Sequence, residues 1–91
     1  ELVELTPDDA RAHDLRGWAA LQVGDYDTAQ DSLLQAVSLD PTLASAHYHL
    51  GLLWVALAEH QKARDAFVRA LDLDTTGELV LLVERAMSEI P

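Results

Sequence analysis

Cysteine is missing from all 91 residues, which excludes both a disulfide framework and a thiolate metal site. Basic residues are scarce as well. Six Lys and Arg stand against sixteen Asp and Glu, a formal charge of −10. Such a field repels phosphate backbones, so nucleic acid is not expected as a partner. No apolar run approaches the roughly 18 residues that a membrane span takes. The start of the chain also lacks the basic and hydrophobic regions of a signal peptide. The expectation is a soluble protein with no membrane span, and a cysteine-free composition is compatible with the cytoplasm. Opening on Glu1 and not on methionine, the sequence reads as a cut or processed piece.

What is present is enough apolar material for a small core. Hydrophobic residues make up 49% of the chain, which argues against disorder and for one domain. The acidic charge is uneven: residues 7–40 carry seven acids and two bases, and residues 41–74 four acids and three bases. Two readings of that surface stand side by side, a solvated face that keeps an assembly soluble and a docking face for a basic partner.

Laid over each other without a gap, residues 7–40 and 41–74 share ten identities. They are Pro7/Pro41, Ala10/Ala44, Ala12/Ala46, His13/His47, Gly17/Gly51, Ala29/Ala63, Asp31/Asp65, Ala36/Ala70, Leu39/Leu73 and Asp40/Asp74. Chance would give about two, so the chain contains a duplication with a period of 34 residues. Within each unit the pattern is two helices. Asp9 can cap a helix beginning at Ala10, Gly24 suits the left-handed residue that ends it, and Asp25 can cap a second helix that Pro41 stops. Ala29, Leu33, Ala36 and Val37 form one apolar stripe on that second helix, and Ala63, Phe67, Ala70 and Leu71 repeat it. The spacing predicts helices over residues 10–23, 26–39, 44–57, 60–73 and 77–89, a partial turn at 2–6, and no sheet.

These residues resemble the tetratricopeptide repeat family. Leu50-Gly51, Trp54, Ala63, Phe67 and Ala70 match its 34-residue pattern in the second unit, and Gly17, Tyr26, Ala29, Leu33, Ala36 and Pro41 match it in the first. The resemblance implies an all-α solenoid: residues 1–6 as the end of a preceding helix, repeats at 7–40 and 41–74, and a capping helix in 75–91. Four positions depart from the family pattern: His13 and His47 replace a frequent Trp, Arg16 a Leu, Ala58 the turn Gly, and Thr75 the closing Pro. Thr75 and Glu78 have the spacing of a capping box for the last helix, whose stripe is Leu79, Leu82, Val83, Ala86 and Ile90. Val80 and Leu81 widen that stripe enough for a self-association surface.

No catalytic constellation or Gly-rich phosphate loop is legible, so neither enzyme activity nor a cofactor is expected. His47 and His49 lie two apart on a helix and point about 200° away from each other, so they cannot share a metal ion unaided. His13 and His47 occupy equivalent places, and with Trp54 and Phe67 they are expected in the packing between helices.

In proteins of this family the first helix of each unit lines a concave groove. The resemblance therefore places Arg11, Asp14, Trp18, Leu21 and Gln22 there from the first unit, and Tyr48, Leu52, Val55 and Ala56 from the second, with His49 at the edge. The Lys, Asn and Arg set with which chaperone-tail binders of the family clamp a carboxylate is absent. The expected function is recognition of a protein or peptide by Trp18, Leu21, Tyr48, Leu52 and Val55, with Arg11, Asp14 and Gln22 setting polarity. The alternative is a homo-oligomeric assembly scaffold, because two units plus a cap are fewer than the three or so repeats that a stable core usually takes.

Overall fold

The computed structural model describes residues 9–91, so the turn expected at 2–6 and the preceding helix lie outside the described residues. Among the described residues five helices follow one another: α1 Ala10–Gln22, α2 Tyr26–Leu39, α3 Ala44–Ala56, α4 His60–Leu73 and α5 Val80–Met87. No strand occurs among the described residues. The chain is an all-α solenoid of helix-turn-helix pairs, with α1 packed on α2 and α3 on α4.

The helix ends follow from local chemistry. Asp9 accepts a hydrogen bond from the backbone N–H of Arg11 at 3.0 Å, and Asp25 accepts one from Thr28 at 3.3 Å. Each satisfies a donor that the first turn of a helix leaves open. Helices α1 and α3 end in the same way. The N–H of Asp25 reaches the carbonyl of Ala20 and that of Glu59 the carbonyl of Trp54, while the intervening residue takes a positive φ, 83° at Gly24 and 61° at Ala58. Ala58 thus adopts the turn conformation that Gly24 takes in the first unit without being a glycine, and its Cβ makes that conformation costly.

Glycine also sets the spacing within each pair. A Cβ built on Gly17 would stand 2.5 Å from Cγ of Leu33, and one on Gly51 would run into the ring of Phe67. Leu33 and Phe67 are each 0% exposed. The bulky residue of the second helix fills the hollow left by the glycine of the first, once per unit.

Two apolar clusters result. Ala20, Ala29 and Leu33 of the first pair meet Leu50, Leu53 and Ala66 of the second. Beyond them, Ala63 and Phe67 meet Val83 and Ala86 of α5, with Tyr48, Leu52 and Val55 partly buried against the same cluster. Trp54 touches both clusters, and Lys62 Nζ sits 4.8 Å from the centre of its ring. The sequence expectation holds in full for Phe67 and His13, which are buried; His47 and Trp54 are half-buried. His47 Nε2 donates to the carbonyl of Pro41 at 3.0 Å and so braces the loop before its own helix.

The last helix departs from expectation. It runs from Val80 to Met87 and not over 77–89, and the capping box expected at Thr75 and Glu78 is replaced by another device. Asp74 Oδ1 accepts from the N–H and hydroxyl of Thr76 at 3.2 and 2.8 Å, its Oδ2 accepts from the N–H of Leu79 at 2.8 Å, and Gly77 takes φ 79°. A carboxylate offers more acceptor sites than a hydroxyl, so Asp74 organises the whole connection and delays the helix. Asp40 does the same for Thr42, at 3.0 Å to its N–H and 2.7 Å to its hydroxyl. These hydrogen bonds hold both carboxyls below the ordinary carboxylate value, chiefly those from Thr42 at Asp40 and from Leu79 and Thr76 at Asp74.

Candidate partner-binding site

The residues expected in the groove lie on α1 and α3, and the structure separates them into three groups. Arg11 and Gln22 are exposed. Leu21 packs against the cluster between the two pairs, while Tyr48, Leu52 and Val55 pack against the cluster that contains α5. The last three are half-buried against that cluster, which α4 and α5 build together. Trp18 belongs to neither cluster and rests instead on His49.

Asp14 requires a correction. Expected as a polar contact for a partner, it is buried at 5% exposure and its carboxylate is already engaged. His49 Nδ1 donates to Oδ1 at 2.7 Å, and the Ser45 hydroxyl donates to Oδ2 at 2.6 Å. Ser45 and His49 are one turn apart on α3, so a single carboxylate on α1 grips two successive turns of its neighbour. Among the described residues no buried side-chain polar atom lacks a hydrogen-bond partner.

Asp, His and Ser are the residue types of a hydrolytic triad, but their connectivity differs. In a triad the serine gives its proton to the imidazole and the carboxylate holds the far side of that ring. Here both Ser45 and His49 donate to Asp14, so the hydroxyl is not presented to a base. The arrangement fastens two helices together.

Trp18 is placed by that fastening. One turn after Asp14 on α1, its ring stacks on His49 with centroids 4.6 Å apart and planes 16° from parallel. Tyr48 continues the row, 5.4 Å from His49 and 6.1 Å from Phe67. Burial pushes the Tyr48 phenol above its ordinary value, an effect that the positive charge of Arg85 on α5 opposes. Trp18 itself is half-buried, with the exposed Arg11 seven residues before it and the exposed Gln22 four residues after it on α1.

Sequence reasoning missed the Asp14–Ser45–His49 contact. The signal was present: Asp14 lies among Ala10, Gly17 and Leu21 on the buried side of α1, at the place that Tyr48 holds in the second unit. A carboxylate there needs partners.

No helix among the described residues is long and apolar enough to cross a membrane. No curated protein matches the chain. A family model described as TPR repeat matches residues 17–57, from the middle of α1 through the end of α3, and so spans the join between the two helix pairs. TPR repeats are a non-catalytic fold that generally mediates protein–protein interaction. That match, the 34-residue duplication and the paired helices agree, and residues 17–57 carry a repeat of the tetratricopeptide type.

Proposed function

We propose that this chain is a protein-docking module that receives a peptide or helix of a partner on the face made by α1 and α3. Trp18 is the anchor, and Arg11 and Gln22 orient the ligand beside it. The observation that carries this reading is the stacking of Trp18 on His49, a ring that is itself held by the buried carboxylate of Asp14. An aromatic fixed in place before binding loses little freedom when a ligand arrives, and such residues supply a large share of interface energy. Recognition is passive, with no bond made or broken.

Peptides selected from a display library against the immobilised chain provide the test. Titration of a selected peptide should perturb Trp18 fluorescence in a Trp54→Phe background, and Trp18→Ala should reduce affinity at least about tenfold with the helical circular dichroism unchanged. Peptides that bind the Trp18→Ala chain as tightly as the parent would move the site to another face.

A further inference from the structure

We infer that the side chain a partner lays on Trp18 is an arginine, its guanidinium flat on the indole. The inference rests on the docking reading above and names the chemistry of the ligand.

Four rings form a row from the core toward the surface. Phe67 is 0% exposed, Tyr48 stands 6.1 Å from it, His49 5.4 Å from Tyr48, and Trp18 4.6 Å from His49. The two inner contacts are tilted, at 43° and 48°, whereas Trp18 lies within 16° of parallel on His49. Among the described residues His49 is the one ring beside Trp18, and Trp18 joins neither apolar cluster. One face of the indole is thus covered, and the area it leaves to solvent lies on the other face and the edge. A flat stack is continued by another flat group.

Charge decides which flat group. The face of an indole is the negative part of its quadrupole and attracts cations. The ring beneath it is hydrogen-bonded to the Asp14 carboxylate, and the whole chain carries −10, with seven acids and two bases in the unit that holds Trp18. One of those bases, Arg11, has its Nε 3.7 Å from Asp9 Oδ1, so its charge is offset locally. The molecule already seats a cation on its other tryptophan, where Lys62 Nζ lies 4.8 Å from the centre of the Trp54 ring. Among the described residues that is the one cation on an indole, so Trp18 receives none from its own chain. Its near-parallel stack favours a planar guanidinium over an ammonium, because the guanidinium packs flat on a ring and is more weakly hydrated. Gln22, exposed one turn after Trp18, offers an amide oxygen that can accept from the guanidinium N–H groups.

The peptides selected against the immobilised chain provide the test. Each is resynthesised with its arginines replaced one at a time by citrulline, which keeps the shape and removes the charge, and is titrated against the unaltered chain by calorimetry. One such replacement should weaken binding about tenfold. Raising salt from about 0.05 to 0.5 M should weaken the arginine peptide more than its citrulline counterpart. On the protein side, Trp18→Phe should retain more affinity than Trp18→Leu, because phenylalanine keeps a π face and leucine only apolar area. Circular dichroism checks that both variants fold. Peptides that lose affinity with Trp18→Ala yet carry no arginine, or bind equally well with citrulline, overturn the arginine and leave the docking site standing. Trp18→Leu binding as tightly as Trp18→Phe does the same. A selection that yields no peptide, or only peptides indifferent to Trp18→Ala, overturns both.

Discussion

His49 Nδ1 lies 2.7 Å from Asp14 Oδ1, and together with the Ser45 hydroxyl on the same carboxylate this contact fastens the first helices of two successive repeats. Both side chains are largely withdrawn from solvent, at 13% and 7% exposure, so the bond is little weakened by competing water.

Removing the carboxylate leaves Ser45 and His49 without their acceptor. Asp14→Ala should lower stability by about 2–3 kcal/mol in urea denaturation, whereas Asp14→Asn, which keeps one acceptor and offers a donor, should cost less. A double-mutant cycle with His49→Ala isolates the pair. A coupling energy near zero would mean that Asp14 acts through Ser45 alone.

Within each repeat the tightest spot is the glycine facing the bulky residue of the second helix. Gly51→Ala should destabilise by about 1–3 kcal/mol, because the added methyl meets the fully buried ring of Phe67 and that ring has nowhere to retreat. Gly17→Ala meets the more adaptable Leu33 and should cost less. Thermal melts of the two variants give the order.

Ala58 is a site where stability can be gained. Its φ of 61° carries a penalty for a residue with a Cβ, and Gly24 serves the equivalent turn without one. Ala58→Gly should therefore stabilise the fold by about 0.5–1 kcal/mol after allowance for the greater freedom of glycine in the unfolded chain. The reverse change, Gly24→Ala, should destabilise. Chemical denaturation of both variants against the parent checks the two signs.

The acid limb of the stability profile should report the turns at Asp40 and Asp74. A carboxyl whose folded value is depressed contributes stability fully above its unfolded value, ordinarily 3.8, and loses it as pH falls through the lower folded value. Replacing Asp74 by Asn should lower the melting temperature at pH 7 and make the loss between about pH 5 and pH 2 shallower. Tyr48 behaves in the opposite sense. Its folded value is raised, so its contribution is complete below 10.0 and is lost as pH rises through the folded value, and Tyr48→Phe should flatten the alkaline limb.

The helices were legible because capping and stripe chemistry is local. Asp9, Asp25, Gly24 and the Leu33 and Phe67 stripes each act within a few residues of chain, and the duplication supplied a second copy of nearly every signal. The last helix was harder. Two candidate caps compete there, and a carboxylate at Asp74 able to accept three hydrogen bonds prevails over the Thr75 hydroxyl, a difference that spacing does not carry. The candidate site was harder still. Trp18 and Leu52 occupy equivalent places, yet their surroundings differ because His49 and α5 come from other parts of the chain. The repeat aligns residues; it does not say which of two equivalent residues a neighbour covers.

The fastening of Asp14 to Ser45 and His49 is also an address. Most of the packing in this solenoid is interchangeable: a glycine meets a bulky residue in each unit, and an Asp-x-Thr turn follows each. Asp14 breaks that equivalence. Its counterpart in the second unit is Tyr48, and the counterparts of Ser45 and His49 in the first are Arg11 and Leu15. Exchanging the two units would set Tyr48 against Arg11 and Leu15 and would leave Asp14, Ser45 and His49 without one another. One polar contact thus gives the two repeats a fixed order, which their shared apolar pattern alone does not specify.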